Sequence, residues 1–287
     1  RLMKKKVYFM LIVLFTFSYS QGQWINEKGK GYYKIGGWSL LANEHYTDQG
    51  KVDPNATRGL FISSFYGQLG LSKKVNLIAY IPFHVKNYQF AQVSKTNGKV
   101  YEPRQEYNGF GDINLGVEYG LKAKGKWVFS TTITLGIPSG NAHGGTDGSY
   151  QTGDGEFNQL FQINAGSGYG IGKRNFYLKS YVGINNRSKG FSDEIHSYFE
   201  TGSQLLKNKL LLLSRLHWIT PLYNGTLDAS NSNGSIFANN VESIILGGEM
   251  ALNLGEKWGI ATTITHPLFG RVIYKTQTFS AGIFLNF

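Results

Sequence analysis

Three stretches of this chain alternate apolar and polar residues for ten or more positions, and alternation of that length restricts the fold more than any other feature. In "DINLGVEYGL" the apolar set is Ile113, Leu115, Val117, Tyr119 and Leu121, against Asp112, Asn114, Gly116, Glu118 and Gly120. "WVFSTTITLGI" and "FNQLFQINAGSGYG" repeat the pattern. A period of two is the signature of a strand with different surroundings on its two faces. Strands of soluble sandwiches run to about 5–6 residues, whereas a strand that crosses a bilayer needs about 9–11. In lipid every backbone amide must be paired, so a sheet of such strands has to close on itself.

The connectors agree with a closed barrel. Five tight, lysine-bearing turns, near Lys73, Lys124, Lys173, Lys207 and Lys257, alternate with long polar segments such as "ANEHYTDQGKVDPNAT" and "YNGTLDASNSNGSIFA". Short turns on one side and long loops on the other are the mark of an outer-membrane barrel. Six outer loops and five inner turns predict twelve strands in an all-β, antiparallel transmembrane barrel.

Composition fits. Glycine (37), phenylalanine (19) and tyrosine (18) are abundant, which favours strands and turns. The absence of cysteine excludes disulfides, thiolate metal sites and a lipidated N-terminal cysteine. Four of the eleven excess positive charges, Arg1, Lys4, Lys5 and Lys6, precede the apolar run Val7 to Phe17 and the small residues Ser18 and Ser20. That order predicts a signal peptide over residues 1–22 and a barrel over 23–287. An exported chain is not expected to meet nucleic acid. The expected location is the outer membrane, among its lipids and lipopolysaccharide.

The last segment, "FSAGIFLNF", sets Phe279, Ala281, Ile283, Leu285 and Phe287 on one face. A terminal aromatic on such a strand resembles the signal read by barrel-assembly machinery through strand-edge pairing. Trp127, Phe176 and Trp258 stand near turns, where an interfacial girdle is expected.

Carrying the alternation through the second half turns Lys179, Glu200, Arg215 and Glu249 inward on four consecutive strands, with Glu118 inward further back. An Arg or Lys facing lipid near the midplane would cost about 2–4 kcal/mol. A belt of alternating charge is therefore expected in the lumen, lined further by Tyr66, Gln68, Tyr80, Tyr177, Tyr181, Tyr198 and His217. It can rigidify a narrow pore or select solutes.

The loop "GNAHGGTDGSYQTGDGE" has the composition of a ligand site. No Gly-Lys-Ser/Thr follows its glycines, and Asp147 and Asp154 lack the spacing of a calcium loop. It is expected to be an external, solvated loop, partly folded into the lumen. None of the six histidines stands in a His-x-Ser arrangement on a lipid-facing strand, so a phospholipase-type centre is not expected, and neither a cofactor nor a metal is.

"GFGDINLGVEYGL", "TLGIPSG", a polar insertion, "TGDGEFNQLFQINAGSGYG" and the aromatic last strand together resemble the meta-pathway phenol-degradation family of outer-membrane barrels. The resemblance is strongest from Phe110 to Gly170, with a looser similarity to fatty-acid transporter-type barrels. It implies a barrel that passes small aromatic or amphipathic compounds, and it brings no catalytic motif. Two functions follow as expectations: a passive channel for such molecules, or a closed barrel whose loops bind a partner or surface.

Overall fold

The computed structural model describes residues 25–54, 57–94, 96–121, 123–172, 174–227 and 236–287. The expected signal segment lies outside them. Twelve antiparallel strands form the wall. They are β1 (Gly31–Ala42), β2 (Arg58–Ser72), β3 (Val75–Gln89), β4 in two pieces (Gln105–Gly109 and Ile113–Gly120), β5 (Trp127–Ile137) and β6 (Asn158–Ile171). The second half supplies β7 (Arg174–Arg187), β8 (Glu194–Leu205), β9 (Leu210–Pro221), β10 (Glu242–Asn253), β11 (Trp258–Arg271) and β12 (Thr278–Asn286). Each strand pairs with its sequence neighbours, and β12 pairs with β1 from Tyr32↔Asn286 to Leu40↔Thr278. The sheet is closed and has no free edge, which is the condition a lipid environment sets.

The alternation puts apolar side chains on the outer wall. Ile35, Leu115, Val117, Ile133, Phe161, Val182, Ile184, Phe199, Ile264 and Ile283 are all exposed there. A continuous apolar band of this extent is not compatible with water and fits a hydrocarbon layer. Trp127 and Trp258 lie on it beside the short turns.

Two irregularities arise at prolines. Pairing of β2 with β3 shifts register between Ser63 and Phe65, and Pro82, which has no N–H to give, falls in the corresponding gap of β3. The same proline accepts from Gly111 N at 2.9 Å, where β4 is interrupted. An added Cβ at Gly111 would stand 2.6 Å from the Pro82 ring, so only glycine fits that approach. In β10 the register shifts between Ile244 and Ile245, opposite Pro267.

At the level of the expected charged belt the inward face is polar. Toward the long-loop end, here called the outer end, it is not. Leu40, Leu60, Ile62 and Val85 point inward and are buried together with Tyr274 of the last loop. Loops cover this part of the lumen, so its wall packs like a protein interior instead of facing water. Short ladders hold the loops in place: His45–Tyr46 pairs with Val52–Asp53 and with Ile273–Tyr274.

Candidate functional site in the lumen

Below the apolar zone the wall turns polar. Register sets Lys179 opposite Glu200, and Glu200 opposite Arg215, on β7, β8 and β9. Arg215 Nε lies 3.5 Å from Glu200, and Arg215 Nη2 lies 3.1 Å from Glu249 of β10. Arg215 itself faces Gly247 across the ladder, where an added Cβ would come within 3.0 Å of the arginine stem. Glycine there leaves the stem room to lean toward Glu249. Tyr177 donates its hydroxyl to Glu200 at 2.9 Å, Tyr198 donates to the other oxygen of Glu200, and Thr263 donates to Glu249 at 2.8 Å. The carboxylates are thus held by hydroxyls as well as by the guanidinium, which is what a partly desolvated ion pair needs.

Lys34 of β1 joins this group from two strands beyond β11, 3.7 Å from Glu249. Sequence reasoning missed it, although "YYKIGGW" carries the signal: Tyr33 and Ile35 face out, so Lys34 faces in. Above the charges Tyr181 and Tyr198 stack with centroids 5.1 Å apart, and Tyr181 Oη lies 3.3 Å from His217 Nε2. Tyr66 and Tyr80 are register partners on the facing wall.

Glu118 was expected in the same belt, and the fold separates it. It lies on β4, with β5 and β6 between it and Lys179. Neutral donors satisfy it: Ser130 at 2.7 Å, Asn76 at 2.9 Å and Gln68 at 3.2 Å. Asn164 extends this buried network to Ser130 and Thr132. At the short-turn end Asn26 donates its backbone N–H to Asn76 at 2.9 Å, which draws the segment before β1 onto the same network.

Between the charged belt and the outer apolar zone lies a cavity of about 350 Å³. Trp38, Leu40, Ile245, Ile273 and Tyr274 line its apolar side, and Tyr198, Arg215 and His217 close its inner end. Its volume is at the lower end of the range for small-molecule pockets, about 300–1,000 Å³.

The glycine-rich loop after β5 is packed and not merely solvated. Tyr150 is 1% exposed and lies under the Arg58 guanidinium, 4.1 Å from the ring centroid. Asp112 accepts from Gly140 N and Asp154 N, both at 2.8 Å, so the loop closes over the break in β4. A side chain at Gly153 would stand 2.3 Å from Asp112 Oδ1, which explains that glycine, and Gly145, Gly148 and Gly155 have positive φ. The loop is tied down by Arg187 at the outer end of β7, which reaches Asp154 (3.1 Å), Glu156 (2.8 Å) and Glu194 (2.7 Å). His196 lies 2.9 Å from Glu194. Among the described residues no group of histidines and carboxylates is arranged to hold a metal.

Carboxylates outnumber cations in this cluster. Burial, with Glu156 and Asp112 adding repulsion, raises the Asp154 carboxyl well above the usual carboxylate range, although Arg187 and the Glu156 N–H oppose the shift. The packed loop therefore binds a proton that the open loop releases. Its extra stability is complete below the ordinary carboxylate pKa and is lost as pH rises through the raised value. Proteolysis within residues 140–156 should accelerate between about pH 5 and about pH 8, and D154N should flatten that dependence. An equal slope in both proteins would show that another group titrates.

No protein-family model and no curated protein matches the sequence. Solved structures do resemble the fold. The COG4313 outer membrane channel from Pseudomonas putida F1 superposes with a TM-score of 0.64 over 94% of this chain and 100% of that one, at 10% identity. The NanC porin gives 0.48 at 6% identity, over 88% of this chain and 98% of that one. The β domain of the Bordetella autotransporter BrkA gives 0.47 at 12%, over 91% and 100%. The first likeness shows an outer-membrane barrel fold.

Proposed function

We propose that this protein is an outer-membrane channel for small molecules that are mainly apolar and carry one polar end. The observation that carries the reading is the cavity above the belt. Its indole and aliphatic wall suits a ring or short chain, while Tyr198, His217 and Arg215 suit a hydroxyl or other polar group at the inner end. The likeness to a COG4313 outer membrane channel supports a transport role. The closed wall and apolar exterior support a setting among outer-membrane lipids and lipopolysaccharide, and the aromatic end of β12 suits delivery by assembly machinery.

A second reading, a closed barrel that binds through its loops, draws on the packed outer end and on the Asn26, Asn76 and Glu118 network at the inner one. Titration with 4-bromophenol separates the two, because bromine quenches a nearby indole. Saturable quenching that is lost in W38F supports the first reading. Absence of quenching, with no uptake by proteoliposomes, would favour the second.

A further inference from the structure

The two rims of the barrel carry opposite charge. Among the described residues the short-turn end holds ten lysines and arginines against two acidic side chains, Glu27 and Glu256. The outer end holds nine cations and twelve carboxylates. Outer cations are largely spent on those carboxylates: Lys86 and Arg104 on Glu106, Arg271 on Glu242, Lys275 on Glu44, and Arg187 on its three partners. The inner cations have no comparable supply of counter-charge on their own rim.

Their distribution is a ring. Every short turn contributes, through Lys74, Lys124, Arg174, Lys207 and Lys257, and each of these is exposed. Two of them show where the charge is directed. The Lys74 ammonium lies 5.9 Å from the centroid of the Tyr119 ring, and that of Lys257 lies 5.8 Å from Phe287. Both rings are exposed on the apolar outer wall. The stems therefore run along the lipid-facing surface and carry the charge to its edge, as lysines do at a membrane interface.

We propose that this rim binds the headgroups of anionic phospholipids in the leaflet next to the short turns. A ring of like charge that encircles the wall fits a plane of phosphates surrounding the barrel, and a protein docking from one side would meet only a part of it. Lysine predominates, and a compact point charge on a flexible stem suits mobile phosphodiesters better than fixed carboxylates. Such basic residues next to an apolar span attract anionic headgroups over about a Debye length.

The test uses the refolded chain in nanodiscs of equal phosphatidylglycerol and phosphatidylcholine, with the lipids that stay bound counted by native mass spectrometry. Phosphatidylglycerol should be enriched about threefold or more around the wild type. Changing Lys74, Lys124, Arg174, Lys207 and Lys257 to glutamine should bring the ratio near one, while K51Q/K99Q/K189Q on the outer rim should leave it unchanged. Should the fivefold variant not fold, the wild type in low and high salt replaces it, and the enrichment should collapse in high salt. Inorganic phosphate at matched ionic strength should not displace the lipid. Equal retention of both lipids, enrichment indifferent to salt or to the inner substitutions, or displacement by free phosphate would each overturn the proposal.

Discussion

Replacing Arg187 by methionine is expected to loosen the outer loops by about 3 kcal/mol or more while the barrel below stays folded. Arg187 is 6% exposed at its side chain, and it holds Glu156 (0%), Glu194 (8%) and Asp154 (16%). Removing the one guanidinium leaves three carboxylates desolvated without a counter-charge, which is the costly way to break a buried ion pair. Glu156 keeps donors from Ser188, and Glu194 keeps Asn185 and His196, so the loss is partial. The readout is cleavage within residues 140–156 by a protease. Its rate should rise a hundredfold or more, at about 1.4 kcal/mol per factor of ten. Heat-dependent migration in SDS gels should persist, since the wall does not depend on the loop. At alkaline pH, where Asp154 is ionised, adding D154N should recover part of the loss, because it then removes one of the uncompensated charges. An unchanged cleavage rate in R187M would mean that the loop is held by its backbone contacts alone.

The second large effect is expected inside the lumen. R215M should destabilise the folded barrel toward urea by about 2–3 kcal/mol, and E200Q/R215M/E249Q should recover most of it. Arg215 bridges two carboxylates, and after its loss Glu249 keeps Lys34 at 3.7 Å and Thr263, while Glu200 keeps its tyrosine hydroxyls. Those partners soften the penalty relative to Arg187, as does the 28% exposure of the Arg215 side chain. Converting all three to neutral groups removes both carboxylates together with their guanidinium, and the recovery stays incomplete because Lys34 then loses Glu249. Equal losses in the single and triple variants would assign the effect to packing of the arginine stem against Gly247. In planar bilayers R215M should also shift any conductance toward cations, since a net positive charge leaves the wall of the lumen.

Much of this architecture is legible along the chain. The period of two, kept up over ten or more residues, dictates which side chains face lipid, and a one-residue slip would exchange the faces. Hence parity assigns Lys179, Glu200, Arg215 and Glu249 to one face of four consecutive strands. The same rule, applied to the first strand, would have added Lys34. The order of turns and loops determined the strand count, even though two outer connectors, 188–193 and 272–277, are no longer than the turn 121–126.

What the alternation does not contain is which distant segments meet. Glu118 obeys the same inward parity as Glu200, yet its partners are Gln68, Asn76 and Ser130, because the register of neighbouring strands sets β2, β3 and β5 around it. The inward Leu40, Leu60 and Val85 look like exceptions to a polar lumen until the loops are seen to cover them. Arg187 and Glu156 read as ordinary loop charges until folding buries them together. Local pattern by itself determined the strands, their faces and their number, because the surroundings on each side of the wall act on every residue separately. The cavity, the belt's partners and the sealed outer loops were decided only by tertiary structure, since each depends on contacts between residues far apart in sequence, and periodicity carries no record of those.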